Sequence, residues 1–397
     1  WLVSGWVGLR MPADALQPLL AQAGWQSGPG VLAVRAVSLL DLVLGLAVLW
    51  PRTRRLALWA MLASVVGYTA VIGLGWWGQT IVKYLKNARN IEAVLATDLN
   101  QDAGRSFAQS QGVEFAPSFE AAIADPRIEG VVLCTPHSMH ADQMVAVAAA
   151  GKHIFCEKPL CLNRADVMRS IKAIRERKLT LAVGHERRFE PPVMKAMEMI
   201  HSGVLGTPLQ MEANFSQDKF LTMASDNWRL NAAEAPAGPM TATGIHLLDL
   251  SVGVFGQADT VFASVKQLGS PLVNGDTLAI LATYKRGGHA LISAILATPF
   301  AGRFAVYGSK GWVEVRDKTH PEASTGWTMN WHIRGEEVQT ASYEPHPAVL
   351  SNLEAFAEAA MGGKPYPVPQ EQMLANICAL EAVVKSTRSG KIETVEN

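Results

Sequence analysis

The chain has 397 residues, 35 basic and 35 acidic, with 49% apolar and 18% charged side chains. This composition is globular; it excludes a mostly disordered chain and one built mainly of membrane spans. The length predicts two or three domains. Zero net charge excludes the basic footprint of a nucleic-acid-binding protein. Cys134, Cys156, Cys161 and Cys378 form neither a C-x-x-C pair nor a zinc spacing. No disulfide framework and no metal site are expected, and a reducing, cytoplasmic compartment fits.

The zero is a cancellation. Residues 1–70 hold no Lys, Glu or His; five arginines and two aspartates give them +3, and the remainder, with 30 basic and 33 acidic residues, carries −3. Five of the eleven tryptophans lie before residue 60. Residues 31–50 are a 20-residue apolar run broken by Arg35 and Asp41, followed by PRTRR (51–55) and a second run at 56–75. A bilayer-crossing helix needs about 20 apolar residues, and each central charge costs about 3 kcal/mol. The pattern reads as a membrane hairpin around a basic loop, as a hydrophobic leader, or as a packed helical pair. If 68–72 is a strand, only about a dozen residues of the second run remain, too few to cross. Membrane contact is therefore expected through residues 31–50 alone, or not at all. The chain begins with Trp1 rather than Met, as a fragment does. A join near residue 67 is also what gene fusion or a sequence-assembly artefact would leave.

From Tyr68 the periodicity becomes regular. Strand-like runs fall at 68–72, 91–97, 130–135, 153–156 and 180–183, with a shorter one at 113–116. Helix-like segments at 77–87, 103–111, 140–150 and 164–177 lie between them. Such alternation predicts right-handed βαβ units and a parallel sheet. The first βα turn, Gly73-Leu74-Gly75-Trp76-Trp77-Gly78, is G-x-G-x-x-G. The first glycine permits the turn, the second lets a pyrophosphate approach, and the third lets helix and strand pack. Asp98, at the end of the second strand, is placed to accept hydrogen bonds from an adenosine ribose and to repel a 2′-phosphate, so NAD is expected over NADP. Ligands of open α/β sheets bind outside the strands' carboxyl ends. This adds Thr135, Pro136, His140, Glu157 and Lys158 to the cofactor-binding candidates.

These residues resemble the Gfo/Idh/MocA oxidoreductases (glucose–fructose oxidoreductase, inositol dehydrogenase and relatives). The likeness rests on AVIGLGWWG (70–78), TPHSMH (135–140), AGKHIFCEKPL (150–160), VGHERRFEP (183–191) and GIHLLD (244–249), and runs from 68 to the C-terminus. Residues 31–67 are similar to a DoxX-like membrane family through LLDLVLGLAVL, the basic turn and LALWAMLASVVGY. The first likeness implies an α/β protein. A doubly wound Rossmann domain (68–187) binds NAD, and an α/β domain with a large, mostly antiparallel open-faced sheet (188–397) binds substrate and oligomerises. Residues 1–67 stand apart as an apolar helical leader. The patterning agrees, with strands read at 209–215, 260–266, 277–284, 290–297, 303–307 and 312–316, then helices near 347–361 and 371–388. A homodimer or homotetramer through the open sheet is implied.

Oxidising a secondary alcohol removes a hydride from carbon and a proton from oxygen. The resemblance assigns Lys158 to polarise the substrate oxygen and His246, in G-x-H-x-x-D, to acid–base work. Arg188, Thr243 and Asp249 join them as substrate-side candidates, Asp249 as an orienter of His246 or as a structural residue. Two positions depart from the family pattern. Ala242 stands where many members carry an aspartate, and Glu186 where they carry asparagine. The expected function is hydride transfer between a nicotinamide cofactor and a hydroxylated ring compound: a sugar, a cyclitol or a cyclic dihydrodiol. The alternative is a non-catalytic NAD-binding sensor of the same fold, which Ala242 favours.

Overall fold

The computed structural model of the protein describes residues 6, 9–12, 16, 27–49 and 67–396. The basic run 51–55 and residues 56–66 of the second apolar run lie outside the described residues. The chain divides into two compact units, Trp1–Val66 and Gly67–Asn397. In the first, helix α1 spans Ser27–Leu49, and Arg35 Nη2 donates to the Met11 carbonyl at 2.7 Å. Among the described residues, no helix is long and apolar enough to cross a membrane.

The second unit opens with β1 (Gly67–Ile72), α2 (Trp76–Leu85), β2 (Ile91–Thr97), α3 (Gln101–Gln111), β3 (Glu114–Phe115) and α4 (Phe119–Ala124). It continues with β4 (Gly130–Leu133), α5 (His140–Ala149), β5 (His153–Cys156), α6 (Arg164–Glu176) and β6 (Leu181–Val183). The six strands are parallel in the order β3-β2-β1-β4-β5-β6. This is the doubly wound order, whose switch point lies between β1 and β4. Helices cover both faces, so the central strands are apolar throughout; all four residues of β4 are buried. Local signals set the helix ends. Asn100, Ser118 and Asn163 cap the starts of α3, α4 and α6, and Gly112 ends α3 in the left-handed region at φ 74°.

After α7 (Pro191–His201), β7 (Pro208–Ser216) starts a second sheet that α8 (Gly244–Phe255) interrupts. The sheet continues through β8 (Ala258–Lys266), β9 (Thr277–Tyr284), β10 (His289–Ile295), β11 (Ala301–Gly308) and β12 (Gly311–Asp317). β13 (Trp327–Ile333) and β14 (Gln339–Tyr343) extend it beyond the last strand read from the sequence. After α9 (Ala348–Ala360) and α10 (Gln370–Ser389), β15 (Glu393–Thr394) closes the other edge. The order is β14-β13-β12-β11-β7-β10-β9-β8-β15, antiparallel except where β7 meets β10. Burial alternates along β9 and β10, so one face packs on the core and the other is open. The apolar helix α8, buried at every position but Val254, lies against the inner face at β7 and β10, with α10 beside it. Helix α9 returns to the parallel sheet: Phe356 sits edge-on to Phe155 at 5.9 Å.

Candidate active site

The site begins where β1 turns into α2. Gly73 has φ +89°, and a Cβ there would meet the Cys134 carbonyl oxygen at 2.9 Å. A Cβ on Gly78 would lie 1.8 Å from the Gly73 oxygen. Both glycines are thus required by close packing of strand, turn and helix. Gly75 differs, because a Cβ there would meet nothing within 4 Å. It faces open space at the uncapped N-terminus of α2. Free N–H groups and a positive dipole end at such a place suit a phosphate. Asp98 braces the loop: Oδ2 accepts from Leu74 N at 2.5 Å and Oδ1 from Asn100 N at 2.7 Å. Each oxygen keeps a lone pair for a ribose hydroxyl. The residues present therefore fit a dinucleotide.

The ends of β4 and β5 lie beside this loop. Thr135 Oγ1 donates to Gln143 Oε1 at 2.5 Å. His140 is fully buried behind the cleft, its Nδ1 3.0 Å from the Pro159 carbonyl and its Nε2 3.0 Å from the Thr135 carbonyl. It ties the two strand-end loops together. Glu157 is 7% exposed, and burial raises its pKa.

Lys158, Glu157, Thr135, Trp76 and Trp77 line a cleft of about 300 Å³, and the opposite wall includes Glu186, Phe215, Thr241, Ala242 and His246. Lys158 Nζ donates to the Ala242 carbonyl at 2.8 Å and the Thr241 carbonyl at 3.4 Å, bridging the two walls. Burial lowers its pKa, against the pull of Glu186 and Glu157. His246 sits in the first turn of α8, 3% exposed. Burial first, then the charges of Lys158, His185 and Arg187, hold it well below the usual histidine range. The imidazole is thus neutral at pH 7, the form that accepts a proton. Its Nδ1 is buried without a hydrogen-bond partner, and Glu186 Oε2 lies 3.6 Å away. Burial pushes Glu186 up to about 7, with Lys158 the main opposing influence.

The other substrate-side candidates lie outside the cleft lining. Arg188 and Asp249 form a fork: Nε meets Oδ2 at 2.5 Å, Nη2 meets Oδ1 at 3.0 Å, and Nη2 also donates to the Asp249 carbonyl at 2.7 Å. The pair locks the 186–189 turn to α8. Asp249 therefore faces Arg188, and it reaches His246 only at one remove, through His185, whose Nε2 lies 3.9 Å from Asp249 Oδ1 and whose ring sits edge-on to His246 at 5.6 Å. Thr243 is fully buried and donates to the Pro239 carbonyl at 3.3 Å.

The sequence reading passed over the outer walls of the cleft. Residues 217–229 and 320–322 contribute Gln217, Lys219, Met223, Trp228, Arg229 and Glu322. Lys219 pairs with Glu322 and lies 3.2 Å from His320 Nδ1. These are irregular loops far apart in the chain, and no spacing announces them.

Two family profiles cover most of the second unit: "Oxidoreductase family, NAD-binding Rossmann fold" matches residues 68–185, and "GFO/IDH/MocA C-terminal domain" matches 193–314. A DoxX-like family profile matches residues 1–77. Myo-inositol 2-dehydrogenase of Thermotoga maritima is 30% identical over 264 residues, covering 63% of this chain and 76% of its own. Inositol 2-dehydrogenase of Gluconacetobacter diazotrophicus is 27% identical over 82% of this chain and 95% of its own. The crystal structure of aldose-aldose oxidoreductase from Caulobacter crescentus superposes with a TM-score of 0.72 at 22% identity, over 82% of this chain and 99% of its own. That likeness extends the shared fold over both sheets. The glycine turn, the strand-end lysine and the two sheets thus have one explanation: the chain belongs to the Gfo/Idh/MocA family of NAD-binding oxidoreductases.

Proposed function

We propose that the protein is an NAD-dependent dehydrogenase for a hydroxylated ring compound, a cyclitol, a sugar or a cyclic dihydrodiol, with Lys158 and His246 as its catalytic pair. The observation carrying this reading is that both residues, distant in sequence, line one cleft beside the N-terminus of α2. The names of the inositol dehydrogenases support the substrate class. Asp98 supports NAD over NADP, since a carboxylate repels a 2′-phosphate.

A bound nicotinamide supplies the hydride acceptor. The Lys158 ammonium donates a hydrogen bond to the substrate oxygen and stabilises the negative charge that grows there as the hydroxyl proton leaves, before the hydride departs. Neutral His246 takes the hydroxyl proton. Phe215, Met223 and Trp228 give the cleft an apolar lining for the carbon skeleton of a ring substrate. Residues 68–187 form the cofactor domain in this assignment, and 188–397 the substrate domain. The open face of the second sheet carries Phe262, Leu281 and Leu291 in one cross-strand row, each about two-fifths exposed. Such a row suits a homodimer or homotetramer.

The test is a panel of cyclitols, sugars and dihydrodiols with NAD and NADP, on wild type, Lys158→Ala and His246→Ala. Turnover in wild type and its loss in both variants is expected; full turnover by Lys158→Ala would refute the assignment. Ala242, which supplies no carboxylate, favours a second reading as an NAD-binding sensor. Transfer of deuterium from a labelled substrate to NAD eliminates that reading.

A further inference from the structure

We infer that Glu186 is the carboxylate of the proton-transfer machinery, set against His246 Nδ1 and Lys158 from the turn after β6. The inference deepens the dehydrogenase reading and rests on it for the reaction concerned. Four observations carry it.

Glu157 and Glu322 also line the cleft, but among the described residues the carboxylate within 4.0 Å of His246 is that of Glu186. Ala242, on the same wall, has none to give, and Asp249 is committed to Arg188. Glu186 also lines the cleft, with its side chain 16% exposed. Its Oε2 lies 3.6 Å from His246 Nδ1, and that nitrogen is buried in a 3% exposed side chain with no hydrogen-bond partner. Leaving a buried ring N–H unpaired costs about 1–3 kcal/mol. A gap of this size closes to a hydrogen bond with a small rotation of either side chain, and catalytic contacts commonly tighten when ligands bind. Finally, Lys158 is the strongest favourable charge acting on Glu186.

Chemically, the alcohol O–H bond breaks and its proton goes to the imidazole, while the C–H bond breaks and its electron pair leaves as hydride to the nicotinamide. His246 then carries a positive charge near that of Lys158. A carboxylate on Nδ1 offsets this charge and holds the ring in one orientation. Protonated Glu186 cannot do so, so oxidation rises with pH through the titration of Glu186. The groups acting on that titration are Lys158 and Glu157 from the β5 end, Arg187 and Glu190 from its own segment, His246 from α8 and Tyr84 from α2.

The first test needs no substrate. The full chain, labelled at its histidine rings, is titrated by NMR from roughly pH 5 to 9, with His246 assigned through its loss in His246→Asn. The His246 signal is expected to inflect near 7, where Glu186 ionises, and Glu186→Gln should abolish the inflection. Identical curves in the two proteins would overturn the proposal. Should Glu186→Gln fail to fold, wild type alone decides: a His246 ring signal that does not move at the pH where the Glu186 side-chain carboxyl carbon titrates overturns it. The second test uses NAD and the substrate found by the panel. Glu186→Gln should lower kcat by about 100-fold with KM within about threefold, and should remove the acid limb of the kcat profile. Adding Ala242→Asp should restore about tenfold. A loss confined to KM, or no recovery in the double variant, counts against Glu186. If wild type binds NAD but turns nothing over, the dehydrogenase reading falls while the ring titration still decides this one.

Discussion

The two sheets of the second unit furnish the cleft in different ways. The parallel sheet is buried on both faces, and its contribution comes from the loops at its strand ends: Trp76 and Trp77 of the glycine turn that Asp98 braces, Thr135, Glu157, Lys158, and Glu186 after β6. The second sheet is buried on one face, and its half of the cleft comes from β7 itself with Phe215, from α8 with His246 laid on that face, and from the 217–229 loop. In the first half, a side chain's position follows from where its strand stops. In the second, it follows from which helices fill the space between two layers. The first half is therefore tolerant at a distance and strict at strand ends, whereas the second depends on buried polar pairs such as Arg188–Asp249.

That contrast can be broken by substitution. The largest effect is expected at the strand end: Lys158→Ala should lower kcat by about 10²–10⁴-fold without lowering the melting temperature. Steady-state kinetics beside thermal unfolding would check both halves of that statement. Arg188→Ala should act the opposite way. It leaves Asp249, 2% exposed, without its charge partner, a loss of about 3–5 kcal/mol in unfolding free energy, with KM little changed in whatever protein remains folded. A large rise in KM with unaltered stability would make Arg188 a substrate ligand instead. Smaller again is Asp98→Ala. Loss of its hydrogen bonds should weaken NAD binding by about 1–3 kcal/mol, roughly 5–150-fold, and narrow the preference over NADP, as titration of NADH fluorescence would show. The smallest effect on stability is expected on the open face. Leu281→Asp should change monomer stability by no more than about 0.5 kcal/mol yet dissociate the proposed oligomer, which sedimentation would register.

Much of the fold was legible because its signals are local. Apolar strands alternating with helices, a glycine triple after the first strand and capping residues such as Asn100 and Ser118 act over a few residues, and the parallel sheet follows from them. Less local features escaped. β13 and β14 are ordered by pairing along an existing edge, and α9 packs back on the parallel sheet from far along the chain. The site divides in the same manner. The sequence could flag Glu186 only as a departure and Ala242 only as a gap, since nothing in spacing relates positions 186 and 242. Arg188 and Asp249 read as open to substrate, although their charges are spent on each other.

The sequence by itself determined that residues 1–70 and the remainder differ in charge, that a dinucleotide fold begins at the end of that break, and that Lys158 lies just past a strand's carboxyl end. Those properties reside in composition and in contacts between near neighbours. Only the tertiary structure decided which carboxylates face His246 and which are paired elsewhere, and that His140 lies behind the cleft while Glu186 lines it. Burial and distance between residues remote in the chain set charge states and partners, and these arise only when the two sheets close on a common core.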